Sequence, residues 1–186
     1  MKISVSLVVL GFLLYGLPLA LHAAQTSEPP RTVQRVDIKR YLGDWFEISR
    51  FPNRFQTDCS GDVKASYAIR DDGRLDVVNR CRTAGGEMKE ARGVARVVDR
   101  TTSAKLKVRF APAALSFLPF VWGDYWIIGL ADDYSWAVVG SPDRKYLWIL
   151  ARSRSLDASQ SAAAIAAARA GAFDTTRLVT TTQTGQ

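Results

Sequence analysis

The chain has 186 residues, of which 47% are hydrophobic, and it carries a formal net charge of +7. This length suits one domain with a single core. The lysines and arginines are scattered singly, and no helical segment carries a dense basic stripe, which argues against a nucleic-acid-binding protein. An anionic lipid surface is the partner that such a charge distribution favours.

Residues 1–24 have the features of a secretory signal peptide. Lys2 precedes an apolar stretch over residues 3–21, and two alanines follow where a peptidase would cut. An uncleaved membrane anchor is the alternative, because the stretch is nearly long enough to span a bilayer. Residues 25–37 predict an extended polar lead-in to a domain over residues 38–182.

Alternating apolar and polar residues, separated by turn-forming clusters such as Asp71-Asp72-Gly73, predict eight short strands. We place these strands near residues 44–51, 63–70, 74–81, 87–99, 104–110, 124–131, 134–140 and 145–152. Their connections are short and contain no helix. Strands joined in this way form an antiparallel up-and-down β-barrel, so the fold class is all-β.

An alanine-rich segment over residues 155–171 predicts one α-helix after the last strand. Ser155 or Asp157 can cap its start, and Gly171 suits a left-handed stop. The helix is expected to pack against the outside of the barrel through its larger apolar residues, which are Leu156, Ile165 and Phe173. Residues 177–180 are a candidate final strand, and the threonine-rich tail beyond them is expected to fray.

Three short motifs follow one another along the chain. Gly43 and Trp45 open the first strand, Asp133 and Tyr134 form a tight turn, and Arg152 ends the last strand. This order resembles the three-motif pattern of the lipocalin family. Further segments look like the branch of the family that includes bacterial outer-membrane lipocalins, plant temperature-induced lipocalins and apolipoprotein D; they are residues 51–55, 104–108, 123–126 and 146–150. The resemblance implies a barrel with one open and one closed end.

The resemblance also gives these five motif residues a structural role. In the family pattern, the Arg152 guanidinium lies over the indole of Trp45 and plugs the closed end, a contact that contributes roughly 0.5–2 kcal/mol. Gly43 lets the backbone turn into the first strand. Asp133 and its neighbour Asp132 lie in the turn that precedes Tyr134, where aspartates commonly accept hydrogen bonds from backbone N–H groups.

The likeness to apolipoprotein D implies that Tyr67, Asn79 and Trp148 contact a ligand inside the barrel. Together they give an apolar cavity with a few polar groups, as expected for a lipid-like molecule. An inward asparagine costs stability unless it is hydrogen-bonded, so a ligand head group or water is expected at Asn79. Glu47 and Leu150, on the inward faces of the first and last strands, complete the candidate ligand-binding set.

The resemblance therefore implies a protein that binds fatty acids, lysophospholipids or similar amphiphiles for membrane maintenance in the bacterial envelope, without a cofactor. One alternative is a carrier of a ring ligand such as haem, bilin or sterol, and another is an enzyme on the same fold. Catalysis has little support, because the only histidine is His22 in the leader and no nucleophile–base pair can be assembled.

Two cysteines in an exported chain are expected to pair, and Cys59 and Cys81 flank one predicted hairpin. Closing a loop of that size stabilises the fold by roughly 3 kcal/mol. No metal site is expected, since no histidine accompanies them. Many bacterial relatives are lipoproteins with a cysteine directly after the leader, which this sequence lacks. We therefore expect a periplasmic or secreted protein, with peripheral contact to the outer membrane left open.

The segment over residues 111–122 carries more apolar side chains than a loop normally exposes. In the lipocalin strand order it lies at the open mouth of the barrel, beside Phe51 and Phe55. One interpretation is a lid packed on itself or into the barrel. The other is a contact with a membrane or a protein partner, which includes a second copy in a homodimer.

Overall fold

The computed structural model describes residues 28–185, and within this range one antiparallel sheet closes on itself. Its strands are β1 Gly43–Arg50, β2 Cys59–Ile69, β3 Leu75–Thr83, β4 Met88–Val97, β5 Lys105–Arg109, β6 Gly123–Leu130, β7 Trp136–Gly140, β8 Leu147–Ala151 and β9 Val179–Thr180. Strands β2 to β8 pair in chain order, and β1 closes the barrel because it pairs with both β8 and β2. The predicted eight-stranded antiparallel barrel is confirmed.

The described residues also form two α-helices, α1 Ile38–Tyr41 and α2 Ala158–Ala170, and three short 3₁₀ helices at Ala113–Leu115, Pro119–Val121 and Thr175–Arg177. None of the helices within residues 28–185 is long and apolar enough to cross a membrane. The sequence did not predict α1, which begins because the Asp37 carboxylate accepts hydrogen bonds from the backbone N–H groups of Lys39 and Arg40.

The expected signal peptide lies outside the described residues, but part of the expected lead-in is visible and does not stand free. The Val36 side chain is buried in the core, and its backbone N–H donates to the carbonyl of Thr102. The backbone N–H of Val33 donates to the carbonyl of Ile127. These contacts tie the segment before α1 to the barrel.

Most strand ends differ from the predicted ones by one to three residues, and β2 differs more. It begins at Cys59, four residues before the predicted start, because its pairing with β3 continues through irregular steps on either side of Gly61. The disulfide between Cys59 and Cys81 joins these two strands, as predicted, with a Cα–Cα distance of 5.6 Å.

Helix α2 begins as predicted from Asp157, whose carboxylate accepts from the backbone N–H of Gln160 in a capping box. The prediction for its end was wrong in detail. Gly171 has a φ of −76°, and Ala172 takes the left-handed conformation with a φ of 59°. The backbone N–H groups of Ala172 and Phe173 donate to the carbonyls of Arg169 and Ala168, which is the Schellman pattern.

Small residues let α2 lie close to the barrel. A Cβ atom at Gly129 would come 2.7 Å from the Cβ of Ala167, and one at Gly140 would come 2.5 Å from the ring of Phe173. Gly171 is also constrained by Phe173, since a Cβ there would lie 3.1 Å from the same ring. The predicted packing of α2 on the outside of the barrel is confirmed, with Phe173 at its centre and Leu156 and Ile165 partly buried beside it.

The threonine-rich tail is held in place, contrary to expectation. We call residues 179–184 the C-terminal strap. β9 pairs with the end of β1, and the backbone N–H of Thr181 donates to the carbonyl of Ile48. On its other edge, the carbonyl of Thr182 accepts from the backbone N–H of Asp62 in β2. The strap therefore fills the wall between β1 and β2 at the open end of the barrel.

We predict that Ala172→Gly raises the free energy of unfolding by about 1 kcal/mol, because glycine adopts the left-handed conformation without the strain that a Cβ brings. Ala170→Gly is the matched control, as Ala170 is exposed in the last turn of α2. The control should lower the same quantity by roughly 0.5–1 kcal/mol. Urea denaturation measures both, and a loss of stability in both variants would contradict the helix end described above.

We also predict that the end of the strap detaches in acid. Hydrogen bonds from Thr184 and Arg82 lower the pKa of the Asp62 carboxyl to about 2. Contacts to the Asp62 carboxylate are thus fully present above pH about 4, and they are lost as the pH falls through about 2. An NMR titration of the Thr184 amide resonance should follow this transition, and Asp62→Asn should abolish it. A Thr184 resonance that changes only when the Val139 amide in β7 also changes would mean global unfolding instead.

Candidate functional site

The closed end of the barrel is sealed by an arginine on a tryptophan. The Arg152 guanidinium lies 3.9 Å from the ring centroid of Trp45, which is fully buried. The same guanidinium donates to the carbonyls of Asp44 and Arg40 at 2.8 and 2.7 Å. Gly43 has a φ of 88°, so the turn into β1 uses a conformation that favours glycine. These contacts fix the floor of the barrel.

The Asp133–Tyr134 turn braces the same end from outside. The Asp133 carboxylate accepts from the backbone N–H of Ser135. Hydrogen bonding from the Ser135 side chain and then from its backbone lowers the pKa of Asp133. Tyr134 has a φ of 64°, and its hydroxyl accepts from the backbone N–H of Asp37. The Arg40 guanidinium lies 4.0 Å from the ring centroid of Tyr134. The turn thereby holds the start of α1 against the barrel.

Three tyrosines cover the floor inside the barrel. The hydroxyl of Tyr125 is 2.9 Å from that of Tyr41 and 3.0 Å from that of Tyr67. Burial raises the pKa of all three, and it raises that of Tyr67 to about 12, so they stay protonated at neutral pH. Tyr67, expected to contact a ligand, thus already has a hydrogen-bond partner and lies beside the floor.

The inward face above the floor is lined by small residues around Asn79. Strand pairing places Ala65 on one side of Asn79 and Ala91 on the other. Ala91 is exposed although its register places it on the inward face, so solvent reaches the open half of the barrel. The carbonyl oxygen of Asn79 is buried and has no hydrogen-bond partner. Leaving such an acceptor unpaired costs about 1–3 kcal/mol.

A hydrogen-bonded chain runs along the wall across the barrel. Glu47 is only 2% exposed, and its carboxylate accepts from the Gln56 amide at 2.7 Å and from the Thr181 hydroxyl. The Gln56 carbonyl oxygen in turn accepts from the indole N–H of Trp148 at 3.1 Å. Burial raises the pKa of Glu47, while the hydrogen bonds and nearby Arg50 oppose that rise. We call Glu47, Arg50, Gln56, Thr181 and Gln183 the polar wall.

Buried polar atoms without a hydrogen-bond partner are concentrated in the open half of the barrel. Within residues 28–185, four buried side-chain atoms lack a hydrogen-bond partner: Arg50 Nε, Asn79 Oδ1, Arg109 Nε and Gln183 Oε1. Arg50 lies opposite the inward Trp148 and has its Nε 3.2 Å from a Glu47 oxygen, as an ion pair without hydrogen-bond geometry. Gln183 uses its NH₂ group on two strand carbonyls, which leaves its oxygen unpaired. Arg109 is the exception, since it lies by Trp122, which ends the apolar segment over residues 111–122.

The predicted site residues thus occupy different depths. Tyr67 lies at the floor, Leu150 is buried opposite Glu47, and Asn79 and Trp148 lie higher. Trp148 is half-buried, with its ring stacked on Tyr146 at 5.9 Å between centroids.

Sequence reasoning missed the other members of the polar wall, which are Arg50, Gln56, Thr181 and Gln183. Strand parity had no means of placing them, because two lie beyond a bulge or in a loop and two lie in the tail.

The apolar segment at the mouth, residues 111–122, is exposed over most of its length. Phe117 is 77% exposed, Phe120 is 80% exposed and Leu115 is 40% exposed. Trp122 anchors the segment from below, since its indole N–H donates to the carbonyl of Ser116 at 2.8 Å. The segment, called the mouth loop below, is therefore not folded into the barrel.

Several known proteins are similar in sequence to this chain. The lipocalin-like domain matches residues 36–183. The chain is 39% identical over 127 residues to temperature-induced lipocalin-1 of Arabidopsis thaliana, which covers 67% of both chains. It is 37% identical over 167 residues to the outer membrane lipoprotein Blc of Escherichia coli, which covers 88% of this chain and 90% of that protein. Apolipoprotein D of Mus musculus is 31% identical over 141 residues, 71% of this chain and 68% of that one.

Solved structures show the same fold. Lobster apocrustacyanin A1 superposes with a TM-score of 0.63 at 18% identity, covering 87% of this chain and 94% of its own. Insecticyanin from the tobacco hornworm Manduca sexta gives a TM-score of 0.63 at 18% identity, covering 83% of each chain. With its closed eight-stranded barrel, its outer helix and a domain match over most of its length, this protein belongs to the lipocalin family.

Proposed function

We propose that this lipocalin binds single-chain amphiphiles, such as fatty acids and lysophospholipids, with the acyl chain inside the barrel and the head group at its open end. The observation that carries the proposal is the position of the unpartnered polar atoms of Arg50, Asn79 and Gln183 above an apolar floor. Buried polar groups normally have hydrogen-bond partners, so three buried polar atoms without one in the open half of the barrel favour a polar ligand there. An acyl chain below them would suit the apolar lining.

The energetics of such binding are favourable. Each methylene moved from water into an apolar site contributes about 0.8 kcal/mol. A long acyl chain can therefore outweigh the roughly 4–15 kcal/mol that association costs in lost freedom. The ammonium, hydroxyl or phosphate groups of a lysophospholipid head can meet both the acceptors of Asn79 and Gln183 and the cation of Arg50. We propose binding and not catalysis as the role.

The proposed location is the periplasm or the outside of the cell, next to the envelope membranes. The name of the Escherichia coli relative places that protein in the outer membrane. The disulfide between Cys59 and Cys81 suits an oxidising compartment. The exposed mouth loop and the net charge of +7 support contact with an anionic lipid leaflet, from which an amphiphile would enter the barrel.

Two substitutions at the inward face test the proposed site by titration with palmitoyl lysophosphatidylethanolamine. We predict that Asn79→Leu raises the free energy of unfolding by about 1–2 kcal/mol, because it removes an unpaired acceptor, and yet weakens binding about tenfold. Trp148→Phe should also weaken binding about tenfold. Trp136→Phe is the matched control, since Trp136 is half-buried on the outer face of β7. Isothermal titration calorimetry and urea denaturation measure the two effects.

Equal affinity of Asn79→Leu, Trp148→Phe and the control would place the ligand elsewhere. A visible absorbance band in protein purified from its native envelope would instead favour a ring ligand stacked on Trp148.

A triple substitution tests the mouth loop. We predict that replacing Leu115, Phe117 and Phe120 with serine reduces sedimentation with phosphatidylglycerol vesicles at least fivefold, because interfacial binding scales with the apolar area buried. Lysolipid affinity in solution should change less than twofold. The control is Ile69→Ser, which removes an apolar side chain that is 53% exposed at the opposite end of the barrel. If the triple variant keeps vesicle binding and loses lysolipid affinity, the loop acts as a lid and the membrane proposal is wrong.

A further inference from the structure

The C-terminal strap forms part of the barrel wall. β1 pairs with β2 only from Gly43 to Phe46, and from Ser49 onward it pairs with the strap instead. The opposite edge of the strap bonds to β2, with 2.8 Å between the backbone nitrogen of Asp62 and the carbonyl oxygen of Thr182. Without the strap, β1 and β2 would leave a gap beside Glu47.

The residues beside the strap leave room for it between β1 and β2. A Cβ atom at Gly61 would lie 2.7 Å from the carbonyl oxygen of Thr182, so a larger residue would push the strap away. The Gln183 amide donates to the carbonyl of Glu47 at 2.8 Å and to that of Val63 at 3.0 Å. One strap side chain thus joins both neighbouring strands.

Side chains also link the strap to Trp148. The Thr181 hydroxyl donates to Glu47, whose other oxygen accepts from Gln56, and Gln56 accepts from the indole of Trp148. Thr181 is thereby the far end of a chain that holds the Trp148 ring. Thr182, the next residue, is exposed.

The strap is held mainly by polar contacts. Val179 is 40% exposed, and four threonines and one glutamine make up the rest of residues 179–184. Segments with little buried apolar surface open locally at low free-energy cost. We therefore expect the strap to open locally, and only the docked state completes the chain to Trp148.

We propose that the strap is a component of the ligand site and that its docking is coupled to ligand binding, with Thr181 as a positioning residue for Trp148. This inference rests on the proposed function, because it takes the Trp148 side of the barrel as the ligand-facing wall. Coupling between two events is reciprocal: if a docked strap favours the ligand, the ligand favours the docked strap by the same factor.

The test compares two adjacent threonines in the full protein. Thr181→Val removes the donor to Glu47 at nearly constant shape, whereas Thr182→Val changes an exposed side chain. With palmitoyl lysophosphatidylethanolamine as the probe, we expect Thr181→Val to bind about tenfold more weakly than the wild type and Thr182→Val to bind within twofold of it. Hydrogen–deuterium exchange of peptides over residues 178–185 should slow on adding the probe to the wild type. It should slow less in Thr181→Val.

Two results would overturn the proposal, and they are distinguishable. Saturable binding with equal affinities for both valine variants, and with strap exchange unaffected by the probe, removes the coupling and leaves the proposed function intact. A wild-type protein that shows no saturable binding of the probe removes the proposed function and this inference with it.

Discussion

Closure of the barrel depends on β1 being hydrogen-bonded along both of its edges. One edge pairs with β8, while the other passes from β2 to the strap. A register shift at Ile48 marks this change. In a regular strand, residues three apart face opposite sides. Because of the shift, Glu47 and Arg50 both face inward, where they form an ion pair.

This irregularity gives the barrel interior two halves of different character. Below the shift, regular alternation produces an apolar floor of aromatic side chains over the Trp45–Arg152 contact. Above it, the polar wall faces Asn79, with small residues around it and solvent within reach. A molecule with an apolar tail and a polar head matches such a gradient, whereas a wholly apolar molecule would leave the upper polar groups unpaired.

The sequence was sufficient for features that rest on local pattern. Alternation and turn residues predicted the eight strands. The motif residues Gly43, Trp45 and Arg152 indicated the family and which end of the barrel is closed. The alanine-rich helix was predicted within three residues at its start, although its left-handed residue is Ala172. Glycine was the obvious candidate, but Gly171 lies one residue earlier, where a Cβ atom would come 3.1 Å from the ring of Phe173. Such a contact can be recognised only in the folded structure.

Features that depend on distant parts of the chain were not predictable. The Thr181–Glu47 contact joins residues 134 positions apart, and a polar tail without alternation carries no signal that it will be inserted into a sheet. The bulge at Ile48 likewise has no signature in the sequence, so parity alone would place Arg50 on the outer face. The unpaired oxygen of Asn79 was anticipated in part, because an inward asparagine between small residues needs a partner that the strands do not supply.

In the proposed complex, the acyl chain enters the barrel tail first and leaves its head group at the polar wall. Paramagnetic relaxation by a lysophospholipid with a nitroxide at the end of its acyl chain tests this claim directly in methyl-labelled protein. With the acyl chain in this position, we expect the strongest broadening at methyl groups deep in the barrel core, those of Leu75, Val77 and Leu106. Broadening confined to Leu115 in the mouth loop, or to Val138 and Ile149 on the outer face under α2, would contradict it.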